Sequence, residues 1–133
     1  TGLADSAEAI HGLLAQLQAE GIPPERTVLG GFSQGGVLAL WAGLGYSRPL
    51  AGMAALSAYL PEATPMTGAQ ATTPLFLAHG RSDSLIPFHL GEQARDTLEE
   101  QGLSVRWRDY AMDHGVCDPE ADDLLEWLGG LTR

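Results

Sequence analysis

A serine flanked by glycines is the part of this sequence best suited to chemistry. Gly31-Phe32-Ser33-Gln34-Gly35 matches the pattern G-x-S-x-G and follows the short apolar run Thr27–Phe32. Between a buried strand and a buried helix, this pattern is typical of a nucleophile elbow, a strained turn that lifts the hydroxyl above the sheet. We expect side chains at Gly31 and Gly35 to collide across such a turn. The backbone N–H of Gln34 is the expected donor to a developing oxyanion, because it lies at a helix N-terminus.

A serine hydroxyl needs a base, and the base needs an orienting acid. When the nucleophile lies in an elbow of this kind, the chain order is serine, acid, histidine. Asp83 follows the predicted strand Leu75–Ala78, and His114 follows the predicted strand Leu103–Tyr110. The carboxyl ends of parallel strands share one edge of a sheet, so we expect both side chains to meet Ser33 there.

Other titratable residues near these motifs suit the roles less well. His79 precedes every acid of its loop, which favours a structural hydrogen-bonding role. His89 opens an amphipathic helix as a surface or packing residue, and Asp113 is expected to be solvated or to form a turn. Cys117 lacks an elbow and is expected to be a small apolar filler or a bystander thiol. A metal site of His79 with the two acid–base candidates would leave the elbow serine unexplained, so no metal or other cofactor is predicted.

The elements that must position these residues alternate between helix and strand, which predicts an α/β fold with a mostly parallel sheet and helices on both faces. In the first helix, apolar residues recur at i, i+3, i+4 and i+7, and Gly21 ends it. The predicted elements in chain order are helix Asp5–Glu20, strand Thr27–Phe32, helix Val37–Leu44, strand Leu50–Leu56, loop Tyr59–Thr73, strand Leu75–Ala78, helix Phe88–Gln101, half-exposed strand Leu103–Tyr110 near the sheet edge, and a helix from the N-cap Asp118 to about Leu131.

The strand Thr27–Phe32 looks fully buried, with Phe32 in the core. A fully buried strand has neighbours on both sides, yet the chain supplies only three further strands, all downstream. Strands ahead of this one are therefore expected to be missing from the chain.

The charge balance of the chain bears on the class of partner that it can bind. Seventeen acids against seven bases give a net charge of −10, which argues against nucleic acid. The acids cluster in Glu92–Glu100 and Asp118–Glu126, which we interpret as solvated helix faces.

No apolar run is long enough to span a bilayer, so no stable membrane insertion is expected. A single cysteine excludes an internal disulfide and fits a reducing, cytoplasmic location.

Three segments resemble one known family in order and spacing. Val28–Gly36 resembles the elbow of the bacterial carboxylesterase, acyl-protein thioesterase and lysophospholipase family of α/β-hydrolases. His79–Asp83 with Ile86-Pro87 resembles its acid loop, and Tyr110–Val116 resembles its histidine loop. The histidine loop departs from the family pattern, because Asp113 and Gly115 stand where the family commonly has glycine before the histidine and an acid after it.

The resemblance implies a serine hydrolase that cleaves carboxylic esters or acyl thioesters through an acyl-enzyme, with lysophospholipase as the nearest alternative. It also implies that residues 1–133 are the C-terminal portion of one α/β-hydrolase domain, without the first half that donates a second oxyanion N–H. It is compatible with a homodimer. Leu85, Ile86 and Val116 flank the two loops and are expected either to line the acyl pocket or to pack ordinarily.

A different class of function also stays open. A chain lacking the first half of the domain could be a truncated, non-catalytic hydrolase module that binds a partner through its exposed sheet edge. We hypothesise that these 133 residues alone are a poor enzyme or not independently stable, since the loss of one oxyanion donor costs about 10²–10³ in rate.

Overall fold

A computed structural model describes residues 2–132 of the chain. The helices and strands lie close to their predicted positions and follow the predicted order. They are α1 (Gly2–Ala19), β1 (Val28–Phe32), α2 (Gln34–Leu44), β2 (Gly52–Leu56), β3 (Leu75–Gly80), α3 (Phe88–Glu100), β4 (Val105–Tyr110) and α4 (Asp118–Gly130), with a 3₁₀ turn at Pro24–Arg26.

The four strands form one sheet in the order β1-β2-β3-β4, and every neighbouring pair is parallel. The predicted α/β fold is therefore confirmed. Parallel neighbours need a crossover connection, which α2 supplies between β1 and β2 and α3 supplies between β3 and β4. All four carboxyl ends then lie along one edge of the sheet, where the elbow, the acid loop and the histidine loop begin.

Alternation along the central strands divides the core into two layers. Met53, Ala55, Leu75 and Leu77 pack with residues of α1, α2 and α3 on one face. The residues between them face the other side, where Ala54, Leu56, Phe76 and Ala78 pack against Trp127 of α4. Because β2 and β3 are covered on both faces, all their residues are buried.

Glycine ends two of the helices by the same local geometry. Gly21 after α1 and Gly102 after α3 have φ values of 96° and 86°. Beyond them, the N–H of Ile22 donates to Leu17 at 2.9 Å and that of Leu103 donates to Leu98 at 3.1 Å. These bonds span five residues and satisfy carbonyls that the helix leaves open, as in a Schellman motif.

The prediction that the first strand is fully buried is wrong for this structure. β1 is an edge strand, and its residues are half-buried or exposed. Phe32, expected in the core, is 39% exposed. Within residues 2–132 there is no strand on the outer side of β1.

The start of α4 also differs from the prediction. Cys117, not Asp118, is the N-cap residue, and Asp118 already belongs to the helix. Glu120, expected on a solvated helix face, is completely buried. Among the helices of residues 2–132, none combines the length and apolar character that crossing a membrane requires.

Candidate active site

Ser33 lies in the turn between β1 and α2, in a backbone conformation that residues other than glycine rarely adopt. Its φ and ψ are 59° and −123°, a conformation that costs energy and must be held by its surroundings. Its N–H donates to the carbonyl of Leu56 on β2 at 2.8 Å, and its carbonyl accepts from Gly36 at 2.9 Å and Val37 at 3.1 Å. The neighbouring strand and the first turn of α2 therefore hold the strained residue from both sides.

Two glycines make room for this turn, although they are not the pair predicted. A Cβ atom on Gly31 would collide with the backbone of Gly35, as expected. A Cβ atom on Gly35 would meet nothing within 4 Å, so the predicted collision there is wrong. The second crowded position is Gly36, where a Cβ atom would lie 2.9 Å from the Ala58 Cβ and 2.9 Å from the Gly31 carbonyl oxygen.

Ser33, His114 and Asp83 form one chain of hydrogen bonds. The Oγ of Ser33 lies 3.0 Å from Nε2 of His114, and Nδ1 of His114 lies 2.8 Å from Oδ2 of Asp83. A carboxylate can only accept, so Nδ1 carries the proton and Nε2 is left to accept from the serine hydroxyl. The imidazole is therefore oriented to take the Ser33 proton, which is the arrangement that activates a hydroxyl nucleophile.

The Asp83 side chain is fully buried and receives further hydrogen bonds inside its own loop. Its Oδ1 accepts from the N–H groups of Leu85 at 2.9 Å and Ile86 at 2.8 Å. Burial by itself raises the pKa of Asp83, but the hydrogen bonds from His114, Ile86 and Leu85 outweigh it and lower the pKa below its usual value. The carboxylate is thus ionised and held in place at neutral pH.

A second buried histidine braces the acid loop. Nε2 of His79 lies 2.7 Å from the carbonyl oxygen of Ile86 and therefore donates to it. The same nitrogen lies 3.5 Å from Oδ2 of Asp83. The ring packs directly on Gly91 of α3, where a Cβ atom would come within 2.6 Å of Nδ1. His79 does not contact Ser33 through a hydrogen bond, and its geometry agrees with the structural role predicted for it.

The remaining predicted site residues lie on or beside these loops. Gln34 is the first residue of α2 and is exposed, and the first N–H groups of a helix have no carbonyl of their own helix to bond. Leu85 is 70% and Val116 is 55% exposed, whereas Ile86 is half-buried and its carbonyl binds His79.

Contacts of two residues with this chain of hydrogen-bonded side chains were missed by sequence reasoning. The ring of Phe32 lies 4.8 Å from the ring of His114, although an apolar run had suggested a core position. Asp113 is exposed, as expected of a solvated residue, but its carboxylate also binds the acid loop through Ser84. Phe32 could have been found from its place directly before Ser33, but no local signal marks the partner of Asp113.

Comparison with known proteins gives a consistent result over nearly the whole chain. The model of the phospholipase/carboxylesterase family matches residues 1–131. Acyl-protein thioesterase 1 of Neurospora crassa is 38% identical over 134 residues, which cover 96% of this chain and 55% of that protein. A probable carboxylesterase of Oryza sativa subsp. japonica is 31% identical over 133 residues, covering 96% of this chain and 50% of that protein.

Solved structures share the same fold. The crystal structure of Arabidopsis thaliana SOBER1 superimposes with a TM-score of 0.90 and 28% identity, covering 98% of this chain and 65% of that one. The chain spans 55% and 50% of the length of the two curated relatives described above.

Proposed function

The chain belongs to the phospholipase/carboxylesterase family, and from that premise we propose that it carries the catalytic triad of a serine hydrolase acting on carboxylic esters or acyl thioesters. Ser33 is the nucleophile, His114 the base and Asp83 the orienting acid. The observation that carries the proposal is the hydrogen-bond chain through His114, 3.0 Å to Ser33 on one side and 2.8 Å to Asp83 on the other.

Acylation begins when the Ser33 oxygen attacks the carbonyl carbon of the substrate and Nε2 of His114 takes the hydroxyl proton. Asp83 stabilises the imidazolium that forms, and its bonds to two backbone N–H groups keep it from turning away. When the tetrahedral intermediate collapses, the leaving alcohol or thiol receives the proton from His114. An acyl ester on Ser33 remains.

Deacylation repeats these steps with water as the nucleophile. His114 takes a proton from the water as it attacks the acyl-enzyme, and then returns that proton to Ser33 Oγ, which leaves with the electron pair of the broken ester bond. The N–H of Gln34 is the proposed donor to the oxyanion in both halves of the reaction, because it opens α2 directly after Ser33.

The proposed substrate has an apolar acyl group joined by an ester or a thioester bond. Phe32, Leu85 and Val116 present exposed apolar side chains on the elbow, the acid loop and the histidine loop, and removing these surfaces from water favours binding of an acyl chain. The Neurospora relative is named a thioesterase and the rice relative a carboxylesterase. We propose both bond types as substrates, with lysophospholipids as a related class.

We further propose that residues 1–133 are the C-terminal portion of a single α/β-hydrolase domain. The chain covers 50–55% of the two relatives compared above, and β1 lies at the sheet edge with half-exposed residues. An upstream strand paired with β1 would cover this edge, which otherwise offers unpaired backbone groups to other chains.

The first test is an intact mass of the gene product that contains this chain, together with labelling by a fluorophosphonate probe. We expect a mass well above 14.1 kDa and one label, on Ser33. The Ser33→Ala variant should take no label, since labelling requires the activated oxygen. Its esterase activity should fall by a factor on the order of 10⁶, as observed when a triad serine is removed.

Ser57 provides the matched control. It follows β2 as Ser33 follows β1, and its φ is also positive at 53°. Its Oγ is buried and has no hydrogen-bond partner within the described part of the chain. The Ser57→Ala variant should therefore label like the wild type. A wild-type protein that takes no label would refute the hydrolase proposal and favour a non-catalytic module, and a mass of 14.1 kDa would refute the proposed larger domain.

A further inference from the structure

Asp113 binds Ser84, which directly follows Asp83, and the backbone of His114. Its Oδ1 accepts three hydrogen bonds: from the Ser84 N–H at 2.8 Å, from the Ser84 hydroxyl at 2.8 Å and from the His114 N–H at 2.7 Å. Ser84 directly follows Asp83, and Asp113 directly precedes His114. One carboxylate oxygen therefore connects the acid loop with the histidine loop, across 29 residues of sequence.

The two loops are already in contact at their bases. The N–H of Arg81 donates to Tyr110 at 2.8 Å, and that of Ser82 donates to Met112 at 3.0 Å. A Cβ atom on Gly80 would collide with the carbonyl oxygens of Met112 and Asp113, so the backbones approach as closely as glycine permits. The bonds of Arg81 and Ser82 lie before Asp83 in the acid loop. The bond from Ser84 to Asp113 lies after Asp83, next to the contact between His114 and Asp83.

The chemistry of this contact favours a firm link. Hydrogen bonds from the Ser84 backbone and hydroxyl, followed by that from the His114 backbone, lower the pKa of Asp113 below its usual value. The side chain is therefore ionised at neutral pH, and hydrogen bonds to an ionised acceptor are roughly twice as strong as bonds between neutral groups. Ser84 donates twice to one oxygen, so two bonds fix its position relative to Asp113.

We propose that Asp113 is a positioning residue, which ties the acid loop to the histidine loop and so keeps His114 in hydrogen-bond register with Ser33 and Asp83. This role rests on the proposed hydrolase function. Its importance follows from the geometry of the reaction, since a displacement of about 1 Å at a catalytic group can cost about 10²-fold in rate.

The test compares two substitutions at one site in the gene product that contains this chain. Asp113→Ala removes the acceptor, and we expect kcat toward p-nitrophenyl butyrate to fall about 10- to 100-fold with little change in KM. Asp113→Asn keeps an oxygen that can accept the same bonds, and it should restore kcat to within about fivefold of the wild type. Asp122→Ala removes an exposed acid of α4 and controls for net charge, so it should leave kcat unchanged.

A second variant makes the link testable even where Asp113→Ala proves too unstable to assay. Ser84→Ala removes one of the three bonds and should lower kcat severalfold. In the Asp113→Asn background, Ser84→Ala should lower kcat less than it does in the wild type, because the neutral amide oxygen accepts the serine bond more weakly than the carboxylate and coupled effects do not add. Effects that simply multiply would overturn the proposed link.

Amide hydrogen exchange supplies a readout that does not depend on activity. The N–H groups of Ser84 and His114 should exchange faster in Asp113→Ala than in Asp113→Asn. A wild type that labels on Ser33 while Asp113→Ala keeps the wild-type kcat would overturn the role of Asp113 alone. A wild type without label would overturn the hydrolase function and, with it, the positioning role.

Discussion

Among residues 2–132, two acidic side chains are buried, and their pKa values are shifted in opposite directions. The Asp83 side chain and Glu120 are both completely removed from solvent. Asp83 accepts hydrogen bonds from two backbone N–H groups and from His114. Neither carboxyl oxygen of Glu120 has a hydrogen-bond partner of standard geometry within residues 2–132. The pKa of Asp83 is lowered, whereas burial raises the pKa of Glu120 to about 7, an effect that the nearby Cys117 backbone only partly offsets.

The difference shows that the hydrogen-bond donors around a fully buried carboxyl group decide its charge. Desolvation raises the pKa of both groups, and only Asp83 has enough donors to reverse it. Asp83 is therefore a fixed anion, suited to stabilising an imidazolium, whereas Glu120 is largely neutral in mildly acidic solution. Three predictions test this contrast, and the largest effect is expected on catalysis.

Asp83→Asn should lower the rate of fluorophosphonate labelling and of ester hydrolysis about 10⁴-fold. The amide can donate to Nδ1 of His114, which would move the imidazole proton to Nε2. A protonated Nε2 cannot accept the Ser33 proton, so the hydroxyl is no longer activated. The second-order labelling rate constant of purified wild type and variant at pH 7.5 measures the effect.

The matched control for this change is Glu120→Gln, which also replaces a buried acid by its amide. It should label within a few-fold of the wild type, because Glu120 makes no hydrogen bond to Ser33, Asp83 or His114. If both variants lost activity equally, or if Asp83→Asn stayed within tenfold of the wild type, the contrast in roles would be wrong.

The second prediction concerns stability as a function of pH. The pKa of Glu120 is about 7 in the folded state against 4.5 as its ordinary value, so the folded protein binds more protons between these values. The contribution of Glu120 to stability is complete below pH 4.5 and is lost as the pH rises toward 7, by at most about 1.4 kcal/mol per pH unit.

Glu120→Gln cannot titrate and should remove that slope. Urea unfolding of both proteins at several pH values between 4.5 and 7.5 gives the difference in unfolding free energy at each. We expect the unfolding free energy of the variant to increase relative to that of the wild type as the pH rises. A difference that stays constant across this range would mean that Glu120 titrates normally in the folded protein.

The smallest effect is expected from Asp83 at low pH, and its sign is opposite. Because the folded state lowers its pKa from 3.8, the contribution of Asp83 to stability is present above that value and is lost as the pH falls through the folded pKa. Below pH 4, the unfolding free energy of the Asp83→Asn variant should therefore decrease less steeply with falling pH than that of the wild type. A wild type and variant with parallel acid-unfolding curves would contradict the prediction.

Several features of the fold follow from local sequence. Gly21 and Gly102 end their helices because glycine adopts the positive φ required there. The alternation of apolar runs with helical periods predicts a parallel sheet, and G-x-S-x-G between a strand and a helix predicts the elbow at Ser33. The acid and the base could be chosen from chain order, since both follow strands whose ends share one edge.

Features that depend on distant segments were predicted wrongly or not at all. An apolar run looks the same in a central strand and in an edge strand, so the sequence predicts more burial for β1 and Phe32 than the structure has. An acidic helix face looks solvated until its packing partner is known, so the burial of Glu120 was missed. The bond from Asp113 to Ser84 joins residues 29 apart, and nothing near either residue indicates the other.

The residues of the proposed triad, their order and the turn that presents Ser33 can be predicted from sequence, because elbows, caps and periods are set by neighbours within a few positions. Distances, burial and charge states are different, because they arise where segments far apart in the chain meet. Ser33 and His114 are 81 residues apart, and only the packing of α2, β3 and β4 around one sheet edge brings a serine, an imidazole and a correctly ionised carboxylate into line.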